Sequence, residues 1–440
     1  MATFVEPRLP RGMRDIVPQK MILRRYVIGV IEQVFERFGF EPLQTPALEL
    51  AQTLMGKYGP DAEKLMYAAR HRDGKEDLAL RYDLTVPLSR MVAMNPELVK
   101  PFKRYQIAPV WRAERPQKGR YREFYQCDAD IVGTSSMLAD AEIIAMIFTI
   151  LRELGFQEFV TKLNNRKVLG ALGEYAGVPP ALLGGLSRAL DKLDKIGREG
   201  VREELRKNEI PAESIEKILN LIALPVDDLA TWREKFRAFP RGVEGINELE
   251  QVLQYTRAMG VNPARLQIDL TMVRGLDYYT GPIFETVVTE PKIGSLTGGG
   301  RYDGLIGLFS KNPLPVTGAS VGIERIIDVM QELKMFPDNL GKTVTQVLVT
   351  VFDAERRAQS IALTMNLRAA GINAEMWYDD DGLGKQLKYA AARGIPYAVI
   401  IGPDEAASNV ATLRDLATGE QQQIAQTDMA AVLQEKLRHL

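Results

Sequence analysis

Between Arg104 and Val132 the chain forms two arms of alternating character joined by a basic loop, and no other stretch constrains the fold as strongly. In the first arm Arg104, Gln106, Ala108, Val110, Arg112 and Glu114 share one side, while Tyr105, Ile107, Pro109 and Trp111 share the other. In the second arm Phe124, Gln126, Asp128, Asp130 and Val132 alternate with Tyr125, Cys127, Ala129 and Ile131. Side chains of a strand point alternately to its two faces. The segment therefore predicts a β-hairpin with an apolar face for a core and a face carrying arginine, glutamine and carboxylate groups. The connecting stretch Arg115 to Arg122 holds four positive charges and no acid. The planar forks of Arg120 and Arg122 match phosphate oxygens, although a plain exposed hairpin tip has the same composition.

The rest of the chain supplies layers around this hairpin. Gln19 to Phe38 has the periodicity of an amphipathic helix, stopped by Gly39. In FEPLQTPALEL the prolines Pro42 and Pro46 favour an extended segment. Residues 65–70 and 78–84 predict two strands around an Asp73-Gly74 turn, with Arg81, Asp83 and Thr85 on one strand face. A helix is expected over 138–154 and a strand over 157–163. From about 171 to 258 the composition shifts to Leu, Lys, Glu and Arg with helical periodicity, which predicts a helical insertion. Strands resume at 264–273 and at IFETVV; Thr297-Gly298-Gly299-Gly300 reads as a glycine loop, and TGASVGIERIIDVMQEL passes from strand to helix. After about 342 a β-α-β-α-β order implies a parallel sheet covered on both faces, closed by a hairpin. The expected domains are 1–342, containing the insertion, and 343–440.

Composition excludes several chemistries. The one cysteine, Cys127, leaves no intramolecular disulfide, and with only His71 and His439 besides there is no dedicated Cys/His zinc site. Those counts fit a cytosolic setting. The start MATFVEPRLPRGMRD lacks an apolar signal core, and the apolar stretch Ile143 to Leu151 is too short to span a bilayer. With a net charge of −1, any nucleic-acid contact must come from local patches. One such patch is Lys385, Lys388 and Arg393 in LGKQLKYAAARG, which reads equally as a solvated helix face.

Four polar clusters stand out: Arg81/Asp83/Thr85, Arg112/Glu114, Gln126/Asp128/Asp130 and Arg274/Asp277/Tyr278/Tyr279. Each alone also fits a solvated face, but each strand cluster is backed by a well-formed apolar face. Arg325 opens a helix, against the helix dipole, which suits recruitment for an anion as well as simple solvation. There is no Ser/His/Asp or Cys/His nucleophile set. The clusters suit electrostatic chemistry: arginines around phosphates and carboxylates around a cationic substrate.

These stretches resemble the class II aminoacyl-tRNA synthetases, specifically the histidyl-tRNA synthetase family. GFEPLQTPALEL is similar to its first motif, WRAERPQKGRYREFYQCDAD to its second and GASVGIERI to its third, while LRYDLT and RGLDYYTG are similar to its histidine-recognition stretches. The likeness runs from RGMRDIVP to LGKQLKYAAARG. It implies an α+β catalytic domain with a mostly antiparallel sheet of the six-stranded type, a helical insertion, a C-terminal α/β anticodon-binding domain and a homodimer. The implied reaction is ATP-dependent attachment of L-histidine to tRNA(His) through a histidyl-adenylate, in the cytoplasm and away from membranes. ATP is then a substrate with Mg²⁺, and no cofactor is tightly held and no protein metal site is implied. Residue by residue, Arg112 would bind the α-phosphate and contact histidine, Glu114 would accept from the adenine amino group with Phe124 stacking nearby, and Arg120 and Arg325 would hold the outer phosphates. Asp83, Leu84, Thr85 and Gln126 would surround the α-amino end of histidine. Asp130 and Tyr278 would take the imidazole, with Tyr279 lining the pocket. Arg274 would be catalytic together with Arg112, with Arg274 between the substrate carboxylate and the α-phosphate. Positions 83 and 130 are Asp where many bacterial members carry Glu, a departure that shifts the substrate slightly. Two non-catalytic rivals share the likeness: a synthetase-like regulatory subunit of ATP phosphoribosyltransferase and a sensor domain for uncharged tRNA. The intact RGLDYY, Arg112 and Arg325, and the long α/β tail, favour the enzyme.

Overall fold

The computed structural model describes residues 4–55, 65–116, 119–226, 228–273, 278–338 and 340–438. Arg274, Asp277 and His439, named above, and Lys118 of the basic stretch lie outside them. The chain divides into two compact units, Met1–Arg14 with Val27–Met335, and Asp15–Tyr26 with Phe336–Leu440.

In the larger unit the strands are β1 (Glu41–Pro42), β2 (Leu48–Leu50), β3 (Tyr67–Ala69), β4 (Leu78–Leu80), β5 (Phe102–Trp111), β6 (Glu123–Val132), β7 (Val160–Asn165), β8 (Leu266–Ile268), β9 (Pro282–Val287), β10 (Thr297–Arg301) and β11 (Val316–Val321). The main sheet has eight strands in the order β1-β5-β6-β11-β10-β9-β7-β8. Its six inner strands pair antiparallel, and the short edge strands β1 and β8 add parallel, so the expected six-stranded type is extended by one strand at each edge. β2, β4 and β3 form a separate antiparallel sheet of three strands.

The predicted hairpin is β5 and β6, in a register that sets Arg104 opposite Asp130 and Gln106 opposite Asp128. Pro109 is tolerated within β5 because β1 pairs only at Arg104 and Tyr105, so no ladder donor is needed at 109. On the apolar face Tyr105 meets Phe35 with ring centroids 5.4 Å apart. Phe35 belongs to the helix Pro18–Arg37, whose Val27, Ile31 and Val34 are also fully buried. The helix Met137–Glu153 packs on β6, β10 and β11 through Ile143, Ile144, Ile147 and Leu151.

Four expectations need correction. The strand over 78–84 ends at Leu80, and Thr85 opens the helix Thr85–Met94. Pro87 belongs to that first turn, where proline costs no helical hydrogen bond. Thr297–Gly300 is no loop but part of β10 in the sheet interior. A Cβ at Gly299 would lie 2.6 Å from Phe284 Cε2 and 2.8 Å from Ala319 Cα, so the strand can pass only as glycine. The strand expected over 264–273 shrinks to Leu266–Ile268. The insertion begins earlier than 171, at the helix Arg166–Ala176, where Asn165 accepts from Lys167 N at 2.9 Å. It runs to the helix Pro240–Ala258, around buried Leu172, Leu186, Ile218, Trp232 and Phe236.

The smaller unit contains β12 (Val347–Val349), β13 (Ala374–Met376), β14 (Tyr397–Ile400), β15 (Val410–Asp415) and β16 (Gln421–Ala425), ordered β13-β12-β14-β15-β16. The first three are parallel, and β15 and β16 close the sheet as an antiparallel hairpin, matching the β-α-β-α-β reading. No helix among the described residues is long and apolar enough to cross a membrane.

Candidate functional site

The polar face of the hairpin forms one wall of a cavity of about 370 Å³. Arg104 is 0% exposed, and Asp128 and Asp130 are each 3% exposed, so this face is no solvated surface. A charged face buried this far needs partners, and the neighbouring strands supply some of them. Arg104 Nη2 lies 2.6 Å from Asp130 Oδ2. Tyr302, just past β10, donates its hydroxyl to Asp130 Oδ1. Gln126 donates to Ser320 Oγ at 3.3 Å, and Ser320 on β11 sits opposite Asp128.

Asp83 reaches the same cavity from the turn that precedes the helix Thr85–Met94. Its Oδ1 accepts from Val86 N at 3.1 Å, which fixes the carboxyl at the helix start. Asp83 Oδ2, Gln126 Oε1 and Asp128 Oδ1 are buried and have no hydrogen-bond partner among the described residues. Burial raises the Asp83 carboxyl above the usual range against the pull of the Val86 N–H and the Arg112 charge, and the Asp130 carboxyl against the pull of Arg104. It pushes Asp128 up to about 7, with the Asp130 and Asp83 charges adding to the effect. Burial likewise lifts the Tyr279 phenol to about 12. The three tyrosines cluster with tilted and edge-to-face rings: centroids are 4.6 Å apart for Tyr278–Tyr279 and 5.5 Å for Tyr278–Tyr302. A cluster of this kind, rich in buried carboxyl and aromatic surface and holding unused acceptors, suits a small cationic ligand.

Arginines line the same cavity. Arg112 donates from Nε to Tyr82 O at 2.9 Å, and its guanidinium lies 5.0 Å from the Phe124 ring centroid. Arg325, in the first turn of the helix Ile323–Glu332, donates to Ser295 O at 2.6 Å. Arg120 pairs with Glu114 at 3.1 Å and is half exposed, an arrangement weak enough to open for a ligand. Gly298 and Gly299 of β10 also line the cavity. Without side chains there, backbone lies open to a ligand's approach.

The structure thus gathers Asp83, Thr85, Arg112, Glu114, Arg120, Phe124, Gln126, Asp130, Tyr278, Tyr279 and Arg325 around one cavity. Leu84 is not among them. Its side chain is fully buried with Ala108 and Val110, because the chain has left the strand and the next residue begins a helix. Arg81, read as part of a site cluster, is structural: it donates to Pro109 O, Thr45 O and Pro46 O. Arg122, read as a phosphate fork, braces the loop instead, donating to Glu114 O at 3.0 Å and Arg11 O at 3.4 Å, while its N–H donates to Gly12 O. Arg14 completes that brace, pairing with Glu324 and lying over the Tyr121 ring. Tyr302 and Ser320 are site residues that sequence reading missed. Treating the glycine run as a strand would have carried its alternation on to Tyr302. In the smaller unit Lys385 pairs with Asp381, and Arg393 donates to the Tyr389 hydroxyl.

The brace gives a first expected outcome. Arg122→Ala frees the loop that carries Arg120 without removing any group that lines the cavity. It should raise the KM for a phosphate-bearing substrate by about tenfold, with a smaller change in kcat. An unchanged KM in steady-state kinetics would show that the loop holds its place without Arg122.

Two family models match successive parts of the chain. A family model described as histidyl-tRNA synthetase matches residues 12–326, and one described as an anticodon binding domain matches residues 346–436. A histidine–tRNA ligase of Aeropyrum pernix is 44% identical, with 94% of each chain aligned. One of Cytophaga hutchinsonii is 41% identical over 94% of this chain and 97% of its own length. Among solved structures, a Nostoc histidyl-tRNA synthetase superposes with a TM-score of 0.86 at 33% identity, covering 98% of this chain and all of its own. A Bacillus halodurans structure titled as an ATP phosphoribosyltransferase regulatory subunit/histidyl-tRNA synthetase has a TM-score of 0.71 at 23% identity, covering 92% of this chain and 97% of its own, and shares the fold.

Proposed function

Because this chain belongs to the histidyl-tRNA synthetase family, we propose that its cavity is where histidine and ATP meet before histidine passes to tRNA. The protein is a ligase that attaches histidine to its tRNA at the expense of ATP. The observation that carries the site assignment is the convergence of buried carboxyls and arginines on one cavity. The amino acid's ammonium needs acceptors, and Asp83 Oδ2 and Gln126 Oε1 are buried acceptors with nothing to accept from among the described residues. Thr85 stands beside them. The imidazole would lie against Asp130 and Tyr278, with Tyr279 closing the pocket. Two ring nitrogens that each meet a fixed polar group let such a site reject isosteres by about 10⁴-fold or more without editing.

Phe124 would stack near the adenine while Glu114 accepts from its amino group, which requires Glu114 to release Arg120. Arg120 and Arg325 would then hold the outer phosphates and Arg112 the α-phosphate. Attack of the histidine carboxylate on the α-phosphate transfers no proton, so alignment and charge neutralisation are what the protein must supply. Arg274, outside the described residues, would add fixed positive charge between the two reactants. Mg²⁺ bound mainly by phosphates and water needs only one or two protein carboxylates, and Glu285 and Glu324 both line the cavity. Bound there, it would neutralise phosphate charge further.

The smaller unit would bind the anticodon, through its Lys388-bearing helix face among others. The working form would be a cytoplasmic homodimer. Leu48 and Leu50 on the edge strand β2 are 46% and 39% exposed, which is apolar surface a partner could cover. The test is aminoacylation of a tRNA(His) transcript with labelled histidine, together with sedimentation of the free protein. Charging that needs ATP and Mg²⁺, by a species of twice the chain mass, is the expected result. Absence of charging, with the amino acid and tRNA both saturating, would refute the activity, and a monomer that charges at full rate would refute the dimer alone.

A further inference from the structure

The deep wall of the cavity holds more negative charge than the roles proposed for Asp83 and Asp130 require. Asp128 lines it, is 3% exposed and has no part in holding the ammonium or the ring as described so far. On its own strand its charged neighbour is Asp130, and opposite it on β5 are Gln106 and, two residues along, Arg104. On β11 it meets Ser320, which gives it a hydrogen bond, and from the turn before the helix Thr85–Met94 it feels Asp83. Tyr302 and Tyr279 close the remaining side, and the Tyr302 proton is already committed to Asp130.

Among the described residues Arg104 is the fully buried cation of this group, and it is spent on Asp130 at 2.6 Å. Arg112 also acts on Asp83, but its charge faces the proposed phosphate, so with ATP bound three ionised carboxyls share, among the described residues, the one guanidinium of Arg104, and the wall is short of two positive charges. Burial is the main cause of the upward displacement of all three carboxyls, and at Asp128 the Asp130 and Asp83 charges add to it. A buried carboxylate without a counter-charge is expensive, and Asp128 Oδ1 stands without a hydrogen-bond partner among the described residues. A ligand that delivered two positive charges would balance the wall. An amino acid's ammonium delivers one. A neutral imidazole delivers none, whereas an imidazolium delivers the second.

We propose that Asp128 is a specificity-determining residue that makes this pocket take the substrate's ring as imidazolium, and so select for a ring that can be protonated. The proposal rests on histidine being the amino acid activated here. The proton balance is simple. A neutral ring gains a proton at its unprotonated nitrogen, and that proton comes from the Asp128 carboxyl when the carboxyl enters protonated, or from the solvent when it enters ionised. No other bond changes. Asp130 would hold the ring in place, and Asp128 would set which charge state is held.

The probe is 2-fluorohistidine, which keeps both ring nitrogens and nearly the same shape but has lost its basicity to the fluorine. The measurement is kcat/KM for ATP–pyrophosphate exchange with histidine and with 2-fluorohistidine, using the full-length protein, Asp128→Asn and Asp128→Ser. The wild-type chain should prefer histidine on the order of 10²-fold. Both variants should lose most of that preference, keeping less than about tenfold, chiefly by accepting the fluorinated ring better relative to histidine. A wild-type chain that uses the two amino acids within about threefold of one another overturns the proposal, whatever the variants do. So does a folded variant that keeps the full wild-type preference. Lack of exchange with histidine itself would remove the premise instead, which separates the two failures.

Discussion

Arg112→Ala should lower the turnover of histidine-dependent ATP–pyrophosphate exchange by about 10²- to 10³-fold, the cost typical of removing one preorganised group from a site of developing charge. The side chain is held at two points that leave its terminal nitrogens for the cavity. Nε is spent on Tyr82 O at 2.9 Å, and the guanidinium lies 5.0 Å from the Phe124 ring centroid. Such anchoring means that little reorganisation remains to be done when charge builds on the α-phosphate. Lysine would restore the charge but neither the bond to Tyr82 nor the planar face toward Phe124, so Arg112→Lys should recover only a small part of the loss. The diagnostic is how the loss divides. A fall in kcat well beyond any rise in the KM for histidine places Arg112 on the reacting phosphate, whereas equal changes would make it a binding residue only. The backbone at 112 should be undisturbed, because its N–H donates to Arg122 O across the hairpin whatever the side chain.

Gly318→Ala should be among the most damaging single-carbon changes in the catalytic unit. Gly318 on β11 pairs with Asp130 on β6 in the middle of the sheet. A Cβ there would overlap Asp130 Oδ1, come 2.5 Å from Asp130 Cγ and 2.8 Å from Ala129 O. The carboxyl cannot swing clear freely, since it is tied to Arg104 and Tyr302, and the carbonyl belongs to the strand. Overpacking of this kind costs roughly 1–3 kcal/mol and more where backbone must move. Function should suffer beyond stability, because the atom that must yield is the proposed ring-binding carboxyl. We expect a folded protein with a lowered melting temperature whose exchange with histidine falls by 10²-fold or more, on the scale of losing a specific buried polar contact to substrate. Wild-type kcat/KM in Gly318→Ala would mean that Asp130 is not where histidine is held.

Much of this was legible in the sequence, for identifiable reasons. Alternation over Arg104–Trp111 and Phe124–Val132 fixes a hairpin and its faces because period two admits no other placement. The β-α-β-α-β pattern of the smaller unit is legible in the same way. What failed was the boundary of a strand and the reading of glycine. At Arg81–Thr85 alternation persists past the end of β4, and Pro87, a residue at home in a first helical turn, was the neglected signal. In Thr297–Gly300 low strand propensity outweighed the tight packing around Gly299, which only the neighbouring strands reveal. Burial was out of reach as well. Alternation put Arg104, Asp128 and Asp130 on one face, but nothing local could say that the face would be covered by Tyr302, Tyr279 and the turn at Asp83, or that its charges would fail to cancel. Arg122 shows the converse limit: a basic loop advertises phosphate, while geometry turns one of its arginines into a brace.

The central claim is that this cavity activates histidine with ATP, and ATP–pyrophosphate exchange measured separately with each of the twenty amino acids, in saturating Mg-ATP and without tRNA, tests it most directly. The account predicts exchange with histidine alone, lost when Mg²⁺ is chelated. Exchange with another amino acid, or none with histidine, would contradict it.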